Sequence, residues 1–310
     1  MLQIGMQSRN IVLDDNPLEG FALLKESGFE CADFSLNGYL DNKAVYKGAI
    51  NDFFDKSLEQ LDEFFLPHKE AAAKAGIRIH QMHMPYPLCV PNGKAEINDY
   101  LWNVVAPKSL HVCKFFDCKY IVVHGFKLAS LLGSEELEWK ETERFLRHLA
   151  PMAKEMGIML CIENLYVSKG NRLVEGPCCD VEKAIKRIDA LNAEFGAEVL
   201  GFCLDVGHAN LVGIDIYDFI TRLDHRLKVL HVHDNDGISD LHQIPFTFTK
   251  TRENKTSTDW DGFLRALHEI KFNGVINFEA SPVMSAFPEE MKKDALEFLA
   301  KIGRYFVGRI

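Results

Sequence analysis

The feature that most constrains this chain is a regular alternation of short, almost wholly apolar runs with longer amphipathic segments. Runs such as YIVVH at Tyr120–His124 and IMLCIE at Ile158–Glu163 lack a polar/apolar alternation. Strands of that kind are buried on both faces, as in a parallel sheet. Eight candidates fit: Leu2–Gln7, Cys31–Leu36, Ile77–Met82, Tyr120–His124, Ile158–Glu163, Gly201–Val206, Lys228–His233 and Val275–Glu279. Between them the spacing predicts helices over Asn16–Ser27, Leu58–Ala75, Asn98–Asp117, Glu135–Met156, Asp180–Phe195, Ile214–Leu223, Asp259–Ile270 and Glu289–Phe306. Gly28, Gly76, Gly157 and Gly196 supply stop signals, and Ser257–Thr258 supply caps for the segment that follows. Parallel strands need crossover helices. The pattern therefore predicts an α/β chain folded as a (β/α)8 TIM barrel, a single domain over residues 1–310. A doubly wound open sheet is the structural alternative. It would normally carry a glycine-rich phosphate turn after an early strand, and neither GxGxxG nor GxxxxGK[ST] occurs.

Composition narrows the partners. The 310 residues are 47% hydrophobic, enough for one large core. A formal net charge of -10 gives no electrostatic footprint for nucleic acid. No apolar run approaches the roughly 20 residues that cross a bilayer. The opening MLQIGMQSRN lacks the basic and apolar regions of a signal peptide, so a cytoplasmic protein is expected. Of the 8 Cys, Cys31, Cys161 and Cys203 fall in strand-like runs and read as small buried hydrophobes; Cys178 and Cys179 are adjacent in a loop, and no disulfide framework is expected.

In such a barrel the chemistry sits at the C-terminal ends of the strands. Those ends read His80-Gln-Met-His83, His124-Gly125, Glu163-Asn164, Asp205-Val-Gly-His208, His231-Val-His233, then a loop with Asp240-Leu-His242, and Glu279. The remaining histidines, His68, His111, His148, His225 and His268, lie on or beside presumed helices and read as solvated or capping groups. Glu163, Asp205 and Glu279 converging on one mouth would repel one another unless a cation sits among them. Alternation along a strand points His231 and His233 the same way, and the later residue lies nearer the mouth. His233 is therefore expected on the metal, with His231 behind it in a supporting or packing role. Asp205 faces the metal and His208 reaches the substrate.

The motifs CIEN around Glu163, LDVGH at Asp205–His208, HVHDNDGISDLH at His231–His242, TDWDGF before the last helix–strand unit and NFEAS at Glu279 resemble the xylose-isomerase-like barrel superfamily. That superfamily contains sugar isomerases and epimerases, inosose dehydratases and AP endonucleases of the endonuclease IV type. The resemblance is carried by the fifth to eighth predicted strands; in the first half it rests on His83, His124 and strand spacing. Its ketose-epimerase branch implies one divalent ion (Mn, Zn, Co, Mg or Fe) on Glu163, Asp205, His233 and Glu279. Its endonuclease branch implies additional ligands at His83, His124, His208, Asp240 and His242, and so more than one ion. Two departures stand out. The usual Pro-Gly-x-Gly turn is replaced by His242-Gln-Ile-Pro245-Phe-Thr-Phe-Thr-Lys, and the sugar-binding arginine after the histidine pair is missing. Lys250, Arg252 or Lys255 could replace it to hold a phosphate or carboxylate, or could form a solvated charged loop.

The implied function is a metal-dependent isomerase or epimerase of a sugar or sugar derivative. Glu163 and Glu279 would be base and acid on opposite faces of the substrate, through a metal-stabilised enediolate. His208 would hold a substrate oxygen, while His83, His124 and His242 line the pocket. The alternatives are a multinuclear zinc phosphodiesterase of the endonuclease IV type, which the negative charge disfavours, and an inosose-dehydratase-like lyase. The expected partner is a small carbohydrate, with no nucleic acid and no membrane. Pairing into a homodimer is common in the superfamily. The segment Asn37–Phe54, with Tyr39, Tyr46, Phe53 and Phe54, reads as a lid or as a packing surface.

Overall fold

A computed structural model describes residues 2–91, 93–128, 134–248 and 257–310. The expected strands form, each within one or two residues of its sequence bounds: β1 (Gln3–Gln7), β2 (Cys31–Ser35), β3 (Arg78–His83), β4 (Tyr120–His124) and β5 (Met159–Glu163). After a hairpin of β6 (Tyr166–Lys169) and β7 (Arg172–Glu175) come β8 (Leu200–Asp205), β9 (Leu227–His231) and β10 (Val275–Phe278). The eight barrel strands run in the order β10-β1-β2-β3-β4-β5-β8-β9, with every pair parallel. The remaining seam closes just beyond β9, where Val232 pairs in parallel with Phe278; Val232 N–H donates to Asn277 O at 2.9 Å and Glu279 N–H to Val232 O at 3.1 Å. This is a (β/α)8 barrel.

Helices α1 (Pro17–Ser27), α3 (Leu58–Ala75), α6 (Glu135–Met156) and α7 (Val181–Phe195) all stop at a glycine in the left-handed conformation, as the sequence predicts. The helix expected over Asn98–Asp117 is interrupted. It begins as α4 (Ala95–Tyr100), passes through a π turn at Leu101–Val105 and resumes as α5 (Ala106–Phe115). Pro107 has no N–H to give to the preceding turn, which accounts locally for the irregularity. The cap of α10 (Trp260–Glu269) is Asp259, whose carboxylate accepts from Gly262 N–H; Thr258 instead donates its hydroxyl to Asp234 at 2.8 Å. Short α2 (Asn42–Tyr46), α8 (Val206–Val212), α9 (Ile216–Leu223) and α11 (Ser281–Met284) decorate the loops, and α12 (Glu289–Val307) closes the ring. No helix among the described residues is long and apolar enough to cross a membrane.

Two apolar cores result. The larger lies between strands and helices. The smaller fills the inside of the barrel with Val122, Met159, Cys161, Cys203 and Val229, and Tyr120 packs against it. Side chains alternate along each strand, so His124, Glu163, Asp205 and His231 share that inward face two residues further on. Register places His124 beside Glu163 and Asp205 beside His231. The apolar plug thus forms the floor on which the polar mouth stands.

Candidate metal centre

Glu163 ends β5 and is 1% exposed, so its charge needs compensation within the protein. One oxygen, Oε1, lies 3.1 Å from His231 Nδ1; the other, Oε2, lies 2.9 Å from His124 Nε2 and 3.5 Å from His83 Nε2. The next residue, Asn164, ties β5 to β8: its side chain accepts from Asp205 N–H at 2.8 Å and donates to Asp205 O at 2.9 Å. Asp205 is fully buried, caps α8 by accepting from His208 N–H at 2.6 Å, and faces His233 Nε2 at 3.1 Å. Gly207 is required here, because a β-carbon at that position would overlap the His233 ring. Asn235 accepts from Asn210 and donates to Gly207 O, which fastens the loop after β9 to α8. A backbone bridge between Asp234 and Gln243 folds the chain back, setting Asp240 and His242 over the mouth. There His242 stacks on His233 with ring centroids 4.0 Å apart.

The histidine tautomers follow from their partners. His83 Nδ1 lies 2.8 Å from Met84 O, His208 Nδ1 is 2.9 Å from Asn164 O, and His242 Nδ1 is 2.7 Å from Glu279 O. A carbonyl only accepts, so each Nδ1 carries the hydrogen and each neutral ring presents its Nε2 lone pair. Those lone pairs face acceptors: His83 towards Glu163, and His208 and His242 towards Asp240 at 3.6 and 3.3 Å. Glu163 Oε2 and Asp240 Oδ1 are buried and make no hydrogen bond of acceptable geometry. Lone pairs 3–3.6 Å apart repel unless a proton or a metal ion lies between them, and donors about 2.0–2.1 Å from a shared ion lie at roughly this mutual spacing. Histidines whose other nitrogen donates to a carbonyl are the usual form of a metal-binding imidazole. The donor set therefore fits a divalent ion. Among the described residues four groups, each with donor atoms within 4.8 Å of one another, are close enough to share one: His83, Glu163 and His231; Asp205, His208 and His233; His233, His242 and Glu279; and Glu163, Asp205, His231 and Glu279.

Apart from Lys127, the cationic groups that line the mouth among the described residues are histidines, and these balance its charge with protons. Burial works against charge on His208, yet Asp205 and Asp240 bring it up to about 10; burial likewise opposes His242, which Asp240 raises to about 9. Burial wins at His124, pulled down to about 4 despite Glu163. Burial also works against the charge on Asp240, but His208 and His242 hold its carboxyl far below the ordinary range. A bound divalent ion would displace such protons.

His231 behaves differently. It is fully buried, and both ring nitrogens face carboxylates: Nδ1 meets Glu163 at 3.1 Å and Glu279 at 3.2 Å, and Nε2 meets Asp33 at 3.0 Å. Burial opposes its charge, but the surrounding anions raise its pKa well above the ordinary value. It is an internal counter-ion that spaces Glu163 from Glu279. Glu279 is also held by Gln7 Nε2 at 2.6 Å, and Gln7 Oε1 accepts from Ser281.

The structure thus brings Glu163, Asp205, His208, His233, Asp240, His242, Glu279, His83 and His124 to one mouth, while Lys250, Arg252 and Lys255 lie outside the described residues. A cavity of about 170 Å³ opens among them. Sequence reasoning missed Lys127, which lines the cavity, and four further polar neighbours. Asp33 and Gln81 sit beneath His231, with Gln81 donating to Asp33 at 3.2 Å. Tyr86 stacks on His124 at 4.4 Å, and Tyr166 donates to Asp240 at 3.3 Å. Tyr166 had a usable signal: Lys169-Gly170-Asn171-Arg172 is a two-residue hairpin turn, with Gly170 at φ 61. The Asn37–Phe54 segment divides. Tyr46 lines the cavity, whereas Tyr39 and Phe53 stack on each other and pack against Phe64 and Phe65.

Fold and mouth together define a parallel barrel with a polar centre built from carboxylates and imidazoles. The chain belongs to the xylose isomerase-like TIM barrel family, whose model matches residues 21–302. It is 23% identical to the uncharacterized protein MJ1188 of Methanocaldococcus jannaschii, over 97% of this chain and all of that one. It is 24% identical to an inosose isomerase of Bacillus velezensis, over 64% of this chain and 67% of that protein. Among solved structures, a D-psicose 3-epimerase determined in the presence of D-fructose superposes with a TM-score of 0.69 at 13% identity, covering 99% of this chain and 100% of that one. At that identity the likeness is one of fold.

Proposed function

We propose that this protein is a divalent-metal-dependent enzyme that isomerises or epimerises a small sugar or sugar derivative. The observation that carries the reading is the convergence of Glu163, Asp205 and Glu279 with imidazole lone pairs that face carboxylates. Glu163, Asp205, His233 and Glu279 would hold the ion. When bound, it would serve as a Lewis acid towards a carbonyl and its neighbouring hydroxyl. Glu163 and Glu279 lie on two sides of His231 and face the same cavity. One carboxylate takes the proton as the α C–H bond breaks, and the electron pair moves onto the carbonyl oxygen to give an enediolate. The other carboxyl returns a proton, to the opposite face in an epimerisation. His208, fixed by Asn164 O, is placed to hold a substrate oxygen. The cavity of about 170 Å³ lies below the ~300–1,000 Å³ that takes drug-sized ligands, which favours a compact substrate. The inosose isomerase relative and the epimerase likeness agree with this class.

One observation favours a second reading. Glu163 presents its two oxygens to different histidines, His231 on one side and His83 and His124 on the other, and Asp240 lies between His208 and His242. These are more donors than one ion uses, which suits a multinuclear phosphoesterase. Elemental analysis of the purified chain, with assays on a ketose panel and on phosphodiesters, separates the two. One ion and sugar turnover support the first reading. Two or more ions with phosphodiester cleavage and no sugar turnover replace it. A dehydration product from an inosose would instead assign the lyase.

A further inference from the structure

Among the described residues that line the cavity, Lys127 is the single lysine or arginine. It stands three residues beyond β4, and its neighbours pin it. Phe126 N–H donates to Thr142 Oγ1 at 2.9 Å and the Phe126 ring packs on Phe145 at 5.2 Å; Leu128 N–H donates to Glu138 at 3.1 Å. The ammonium lies 5.1 Å over the Tyr166 ring. Among the described residues it has no ion pair within 4.0 Å and no hydrogen bond. Burial pulls its pKa below the ordinary lysine value, opposed first by Glu163, so it shares the poorly solvated space of the mouth. Exposed cations need no partner, but one held in a cavity by a rigid backbone is costly without an anion. The nearby carboxylates turn their free oxygens to histidines instead, Glu163 Oε2 to His124 at 2.9 Å and Asp240 Oδ1 to His233 at 3.9 Å.

We propose that Lys127 is a specificity-determining residue that binds an oxyanion, phosphate or carboxylate, on a small acidic substrate. This rests on the reading of the mouth as a metal centre for a small carbohydrate, and it makes that carbohydrate an acidic one. Tyr166, beneath the ammonium and hydrogen-bonded to Asp240, sets the distance between the anion site and the metal ligands. The arrangement supplies, from the loop after β4, the positive group that the loop after β9 lacks at Asp234-Asn-Asp236.

The test uses the full-length, metal-loaded protein and Lys127→Met and Lys127→Arg variants, with metal content and thermal melting checked in each. Calorimetric titration compares D-ribulose with D-ribulose 5-phosphate, and D-glucose with D-glucuronate; inorganic phosphate is titrated alone. The expected result is about tenfold or tighter binding of one anionic probe over its neutral partner, and of phosphate to wild type over Lys127→Met. Lys127→Met should reduce the preference to about twofold or less, and Lys127→Arg should keep most of it. The pair that responds says whether phosphate or carboxylate is the group read. Equal binding of charged and neutral probes, or a preference that survives in Lys127→Met, overturns the proposal. Turnover of a neutral ketose without any anion preference would sink this proposal and leave the sugar-enzyme reading standing. A Lys127-dependent anion preference without sugar turnover would do the reverse.

Discussion

The two ends of the barrel interior carry similar residue types and treat them in opposite ways. At the foot, where the strands begin, most polar groups find a complement, His80 Nε2 being an exception. Arg78 donates to Gln3 Oε1 at 2.6 Å and to His80 Nδ1 at 2.9 Å, and Lys228 meets Glu198 at 3.4 Å. At the mouth the pairing is incomplete: His83 and His124 approach each other through Nε2 at 3.1 Å, a contact that needs a hydrogen on one of the two rings, and Glu163 Oε2 has no proper hydrogen bond. A chain selected for stability alone would resolve the mouth as it resolves the foot. Satisfied polar groups mark structure, and an unresolved cluster of lone pairs on a rigid floor marks a place prepared for something else.

The largest expected effect tests that contrast at the mouth. Glu163→Gln and Glu279→Gln should each lower turnover by about 10²–10⁴-fold, the range a positioned acid or base supplies. A chelator should abolish turnover in wild type, and added metal should restore it. Arg78→Met, at the foot, should leave kcat/KM within about twofold of wild type. Comparable losses at both ends would mean that the contrast carries no functional information.

Next comes His231, the counter-ion between Asp33, Glu163 and Glu279. Removing one partner from a buried charge cluster costs about 3–5 kcal/mol. His231→Phe should show such a loss in urea unfolding of the metal-free protein, and a smaller one after metal is restored, because the ion takes over part of the compensation. Equal losses with and without metal would show that His231 only fills space.

Much of this was legible in the sequence. The barrel followed from strand runs without alternation, because burial on both faces leaves that pattern; all eight barrel strands appear within two residues of their expected bounds. The mouth was legible too, since a strand end is a position that can be counted to, which is how Glu163, Asp205, His208 and Glu279 were found. Asp33 and Gln81 were not found, because they lie mid-strand, where an isolated polar residue in an apolar run gives no hint of its partner across the barrel. The different work of His231 and His233 was half legible. Alternation gives both the same face, but only the partners from β2, β5 and β8 show that one ring is enclosed by carboxylates on both nitrogens while the other meets Asp205 at 3.1 Å and Asp240 at 3.9 Å through Nε2 alone. Lys127 was invisible for a simpler reason: a lysine in a loop is ordinarily solvated, and nothing local says that Phe126 and Leu128 are pinned on either side.

The third prediction moves to the foot and to pH. Burial, reinforced by the Arg78 guanidinium, pulls His80 down to about 3, whereas an unfolded histidine titrates near 6.5. Between those values the unfolded chain binds more protons at this position than the folded one, so stability rises with pH. The His80 contribution is fully present above about pH 6.5 and is lost as pH falls towards about 3. At pH 5 the loss is on the order of 2 kcal/mol, from about 1.4 kcal/mol per pH unit below 6.5. Wild type and His80→Gln should therefore converge as acid is added, measured as the difference in urea midpoint at pH 7.5 and pH 5. A difference that does not change with pH would mean that His80 is already charged in the folded chain, and that the foot is less completely resolved than its hydrogen bonds indicate.

The smallest effect is expected from Arg78→Met, and it sharpens the comparison most. The substitution removes the donors to Gln3, His80 and Cys31 Sγ but keeps an apolar stem. Hydrogen bonds from a charged donor are stronger than neutral ones when buried, but this guanidinium is largely solvated, so a loss of about 1–3 kcal/mol is expected. It should be partly recovered in the Arg78→Met, His80→Gln double variant, since the two share one hydrogen bond and such pairs are not additive. The same cycle at the mouth, Glu163→Gln with His124→Gln, should couple in a metal-dependent way, because the contact between those side chains lacks hydrogen-bond geometry and an ion would join them. A foot cycle that ignores metal and a mouth cycle that depends on it would express the contrast in free energy. Coupling at the mouth that is the same in chelator and in metal would assign Glu163 and His124 to an ordinary ion pair.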